Sequence, residues 1–138
     1  MRGLRVVAGV LLCLTPFVGA CSTSPSKGTL RGQSVQVGNL ASETPYPVEA
    51  AVWIWKGTLT SAQAMRQSPV ARLFSDREGQ YSVSLKPGDY SVWVSRSLSK
   101  LIEPTYCGSR KRVGLGVPVH VVVRAGHTAS ADVECAFM

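Results

Sequence analysis

The sequence contains no G-x-S-x-G elbow, no H-E-x-x-H pair and no phosphate-binding glycine loop. Acyl transfer through a nucleophile elbow, zinc peptidase chemistry and nucleotide hydrolysis therefore lack their usual carriers. Histidine is scarce, with only His120 and His127; the first falls inside an apolar alternation and the second beside a glycine, places that suit ordinary surface residues better than a general base. No C-x-x-C is present, so a zinc site has too few ligands. Asp76 and Glu78 form one short acidic pair, too few oxygens for calcium, and flank a turn instead. No metal, cofactor or catalytic residue is expected. Helical periodicity is almost absent, and the longest apolar run, VVAGVLLCLTPF at 6–17, is short of the ~20 residues a spanning helix needs.

That run does have a recognisable setting. Arg2 and Arg5 precede it, and Val18-Gly19-Ala20-Cys21 closes it with small residues. The stretch VGAC resembles the lipobox of bacterial lipoproteins, in which an aliphatic and two small residues precede the cysteine that takes a diacylglycerol through a thioether. The resemblance implies that residues 1–20 are a removable signal peptide and that Cys21 is the lipidated residue. A plain secretory signal with an accidental cysteine is the alternative. Residues 22–28 (STSPSKG) are small, polar and broken by Pro25, a tether between the lipidated cysteine and a domain over 29–138. The implied location is a bacterial membrane. In a Gram-negative cell that is the outer membrane, facing the periplasm; otherwise it is the outer face of the cell membrane.

Removal of the signal leaves 118 residues, enough for one small domain with a real core. Two of the 15 Lys and Arg residues leave with it, so 13 face 8 acidic residues, a formal +5. Such a balance favours anionic lipid, wall polymer or an acidic partner, and nucleic acid is not expected outside the cytoplasm. Of the four cysteines, Cys13 lies in the signal and Cys21 is assigned to the lipid, leaving Cys107 and Cys135. An even pair in an oxidising compartment is expected to be joined, closing a loop of about 29 residues worth about 3.5 kcal/mol on the chain-entropy argument. Two free buried thiols are the alternative.

Along the rest of the chain, short segments alternate apolar and polar residues between Gly, Pro, Asp and Asn. Strands are expected over 29–37 (weakened by Gly32), 49–55, 70–75, 80–85, 90–94, 117–123 and 128–135. Residues 60–67 could make two helical turns capped by Thr60 or Ser61. Asp76-Arg77-Glu78-Gly79 and Lys86-Pro87-Gly88-Asp89 are turns, the latter of type II. About seven short strands and almost no helical periodicity predict an all-β fold, a single antiparallel β-sandwich.

The stretch SDREGQYSVSLKPGDYSVWV at 75–94 resembles the carboxypeptidase regulatory-like domain, a transthyretin-like sandwich with the pattern G-x-Y-x-x-x-L-x-P-G-x-Y-x-V-x-V. Residues 47–52 match that family's entry into its second strand, and 119–133 its closing hairpin. The resemblance spans most of 28–135 and departs at the basic segment around Cys107. It implies a non-catalytic module for stability, adhesion or partner binding.

Two groups of residues are candidates for recognition. Trp53, Trp55 and Trp93 alternate with aliphatic residues, so they share the sheet face opposite the core. That face is either an exposed aromatic patch or is buried by the segments at 57–69 and 95–116 folding over it. The run Arg110-Lys111-Arg112 lies in the longest irregular stretch and could contact anionic lipid or wall polymer, or be a solvated loop. These features imply a membrane-anchored, non-enzymatic envelope protein that binds another envelope component or supports an assembly. The alternative is a pilotin-like accessory of a secretion system that escorts an outer-membrane ring protein in a groove beside the tryptophans.

Overall fold

Strand follows strand, with one short helix, in the computed structural model, which describes residues 26–37, 44–95, 107–108 and 116–135. In chain order these are β1 (Gly28–Gln36), β2 (Tyr46–Pro47), β3 (Ala51–Lys56), α1 (Ser61–Arg66), β4 (Ala71–Phe74), β5 (Gln80–Leu85), β6 (Gly88–Ser95), β7 (Cys107–Gly108), β8 (Val119–Val123), β9 (Thr128–Ser130) and β10 (Val133–Cys135). They form two sheets, one of four strands in the order β4-β3-β6-β8 and one of six built around β1. The fold is an all-β sandwich.

β1 organises the six-stranded sheet. Along one edge it pairs antiparallel with β5 and then β2; along the other it pairs parallel with β9 and then β10. The expected single strand over 128–135 is thus two pieces. Asp132 explains the break: its carboxylate accepts the Gln33 N–H at 2.9 Å and carries the ladder across the interruption. The expected closing hairpin is also corrected. The turn at Gly126 (φ +71°) passes the chain from β8, paired with β6 in one sheet, to β9, paired with β1 in the other. It joins the sheets instead of pairing neighbours. The parallel pairings and the two-residue β2 and β7 are likewise departures from a seven-stranded antiparallel count.

The alternation read from the sequence sets the core. Leu30, Tyr81, Leu85, Ala131 and Val133 of the first sheet face Val52, Ile54, Val92, Val94 and Val123 of the second, all buried. Gly32, expected to weaken β1, has a specific task there. The Tyr81 hydroxyl crosses over it to donate to the Ala131 carbonyl. A methyl at Gly32 would lie 2.5 Å from that hydroxyl and 2.7 Å from the Ala131 carbonyl carbon, with no room to spare. Burial, helped by the nearby Asp132 charge, pushes the Tyr81 phenol well above its usual pKa. A second buried link joins the sheets where Ser34 Oγ donates to the Val48 carbonyl at 2.6 Å and sits 3.0 Å from Ser75 Oγ.

The first predicted glycine turn forms, and the second departs from the expected type II geometry. Gly79 (φ +71°) closes the 76–79 turn, in which Asp76 accepts the Gln80 N–H at 2.7 Å. Gly88 also has positive φ, but at +152° it is more extended than the roughly +80° of a type II turn and already pairs with Val123.

Candidate functional site

The three tryptophans share one face, as their alternation requires. Trp53 and Trp93 are directly paired between β3 and β6, and Trp55 lies one step along, paired with Ser91. Trp53 and Trp55 stack with centroids 6.3 Å apart at 15°, and the Arg72 guanidinium sits 5.5 Å over the Trp53 ring. Yet they are no surface patch: Trp53, Trp55 and Trp93 are 5%, 1% and 0% exposed. Of the two outcomes left open by the sequence, burial is the one observed. The candidate aromatic binding face is therefore corrected to a second, smaller core on the outer side of the four-stranded sheet.

The chain between β3 and β4 supplies part of that cover. Thr60 caps α1 in a capping box with Gln63, which fixes where the helix starts. Leu59 and Ala64 are buried, and the Gln67 carbonyl accepts the Trp55 indole N–H at 2.9 Å. Ser91 fastens the segment twice, accepting the Leu59 N–H at 2.8 Å and donating to the Gly57 carbonyl at 2.7 Å. His120 Nε2 lies 3.0 Å from the Leu59 carbonyl, and Ser61 donates to the Gly116 carbonyl. The Trp53 indole donates to Ser95 Oγ at 2.8 Å, while Trp93 Nε1 is buried without a partner among the described residues. Ser91 and Ser95 lie on the same face of β6 as Trp93, and the sequence alone does not distinguish hydroxyls that fasten a cover from hydroxyls that face water.

Cys107 and Cys135 are joined, with S–S 2.00 Å, and both are fully buried. They are register partners of β7 and β10, so the bridge ties the middle of the 95–116 stretch to the last strand. The run Arg110-Lys111-Arg112 lies outside the described residues, as do Cys21 and the segment 1–25. Among the described residues no group of three or more His, Cys, Asp or Glu could hold a metal ion. Open depressions are formed among the described residues. One of about 360 Å³ is lined by Arg31, Gln33, Gln80, Ser130 and Asp132; another, of about 270 Å³, lies between β8 and β9 beside Val122, Arg124 and His127. His127 is held locally, its Nδ1 2.8 Å from the Ala125 carbonyl. Neither depression sets a nucleophile against a base. No helix among the described residues is long and apolar enough to cross a membrane.

No family model matches the sequence, and no curated protein matches it. The fold is similar to the crystal structure of the minor pilin of the Gram-positive pathogen Streptococcus agalactiae. The TM-score is 0.53 at 16% identity, and the match covers 83% of this chain and 46% of that one. The chain therefore spans about half the length of the pilin, and at this identity the likeness concerns the fold alone.

Proposed function

We propose that this chain is a lipid-anchored, non-enzymatic envelope protein whose β-sandwich binds another envelope component or braces an assembly. The observation that carries the reading is the placement of Cys21: it follows a basic and an apolar segment, closes VGAC, and stands seven residues before β1 opens the domain at Gly28. The fold's likeness to a minor pilin, itself a surface protein, agrees with a place outside the cytoplasm, and a buried disulfide agrees with an oxidising compartment. The 75–94 motif supports treating the sandwich as a carboxypeptidase regulatory-like module, since its two strands form at 80–85 and 88–95 and Gly79 closes the turn before them with positive φ. The pilotin-like alternative would be favoured by a groove beside the tryptophans, and their burial lends it no exposed aromatic surface among the described residues. Cys21→Ser is the test: the variant should leave the membrane fraction and take up no labelled fatty acid. Unchanged fractionation with label still incorporated overturns the anchor.

A further inference from the structure

The topology collects basic residues that the sequence scatters over almost a hundred positions. β1 starts at one end of the sandwich, where Gly28 pairs with Leu85 and the Gly126 N–H donates to the Lys27 carbonyl at 2.9 Å. At the same end the Tyr90 hydroxyl donates to the Lys86 carbonyl at 2.7 Å, Lys56 pairs with Tyr90, and Gly88 pairs with Val123 just before Arg124. Lys27, Lys56, Lys86 and Arg124 are all exposed there, with His127 beside them. None of the four cations has an ion-pair partner among the described residues, and Asp89 is the one carboxylate at this end among them. Among the described residues the opposite end has the reverse balance. Glu49, Asp76 and Glu78, with Arg77, surround the Gly79 turn, where the Ser34 N–H donates to the Gly79 carbonyl at 2.8 Å.

We infer that this basic end is a docking surface for anionic phospholipid headgroups. The inference rests on the anchored reading of Cys21, and two features single out lipid as the occupant. The tether leaves the domain at Lys27, inside the basic end, and the five residues between Cys21 and Lys27 let the two stand at most about 20 Å apart. The cations are thus delivered to a membrane surface by the chain itself. Among the described residues the charge at that end is complementary and uncompensated, and the described carboxylates gather at the far end, so an anionic surface orients the sandwich as well as attracting it. Strands then stand away from the bilayer, with the disulfide end presented outward. Basic groups act on an anionic surface only within about a Debye length, roughly 8 Å at physiological salt.

The test separates this surface from the anchor. The Cys21→Ser full chain, purified after export, is mixed with phosphatidylglycerol or phosphatidylcholine vesicles and its partition measured by sedimentation at low and physiological salt. Binding to phosphatidylglycerol alone, weakened at least about tenfold by Lys86→Glu/Arg124→Glu and by added salt, supports the inference. The control Arg31→Glu/Arg77→Glu makes the same charge change in the middle of the β1 face and at the far end, and should bind nearly as wild type. Equal loss in the control, or equal binding to both lipids, overturns the surface, as does binding to neither. Thermal melts of both double variants confirm folding. Fatty-acid labelling of the wild-type chain reports on the anchor independently, so a lipidated protein without vesicle selectivity would retain the anchor and lose only the surface.

Discussion

Gly32→Ala is the perturbation whose effect the structure specifies most closely. The new methyl falls 2.5 Å from the Tyr81 hydroxyl and 2.7 Å from the Ala131 carbonyl carbon, where carbon contacts normally begin near 3.5 Å. Both neighbours are constrained: Tyr81 is buried and Ala131 is held by its own N–H donating to Arg31 at 2.9 Å. Relief requires β1 and the 131–132 break to move apart, an overpacking cost of about 1–3 kcal/mol. Losing the Tyr81 hydrogen bond adds about 1–3 kcal/mol, because the Ala131 carbonyl is left buried without it. The expected total of about 2–6 kcal/mol corresponds to a fall in Tm of roughly 10–25 °C for a domain of this size. Tyr81→Phe alone should cost only the hydrogen bond. The double variant should be less destabilised than the sum, by about 1 kcal/mol, since the smaller ring returns some space. Urea unfolding of the four proteins, followed by tryptophan fluorescence, measures the cycle. A Gly32→Ala protein within about 0.5 kcal/mol of wild type, or strictly additive effects, would refute the account of this crossing.

The same phenol predicts an alkaline limit. Burial and Asp132 raise the Tyr81 pKa above that of the unfolded chain, so its contribution is complete below about pH 10 and is lost above it as the unfolded tyrosine ionises. Melts from pH 8 upward should show Tyr81→Phe losing less stability above about pH 10 than wild type; parallel curves would contradict this. Replacing the bridge by Cys107→Ala/Cys135→Ala should cost about 3.5 kcal/mol from loop closure over 28 residues of separation, read as a Tm fall beyond about 10 °C with tryptophan fluorescence retained below it. Non-reducing peptide mapping of the wild type should find these two cysteines linked. Reversal of Arg110, Lys111 and Arg112 to Glu should weaken partner or membrane-surface association, less so at high salt, with Tm nearly unchanged; equal capture of envelope proteins by both forms at low salt would mark the run as solvated surface.

Strand positions and the inward face were legible because alternation has a period of two and one face of each sheet is buried. Gln80–Leu85 was predicted to the residue, and Tyr81 and Leu85 face the core as their spacing required. The Thr60 cap and the disulfide were equally readable, the first from side-chain chemistry and the second from cysteine arithmetic. What alternation could not give was which edge meets which. The parallel β1–β9 and β1–β10 pairings join residues about a hundred positions apart. The break at Asp132 depends on a side chain reaching across to Gln33. The sequence leaves the state of the tryptophan face open for the same reason: periodicity places three indoles on one side but is silent on whether a neighbouring loop, here held by Ser91, closes over them. The basic end is the extreme case, since Lys27, Lys56, Lys86 and Arg124 meet only through the topology.

The central claim is that Cys21 is the acylated first residue of the mature protein. Intact mass of the protein extracted from membranes, with the mass of its N-terminal peptide, addresses it directly. The account predicts loss of residues 1–20 and an added mass of diacylglycerol, with or without a further fatty acyl group, confined to Cys21. A mature chain that begins elsewhere, or begins at Cys21 with an unmodified thiol, would contradict it.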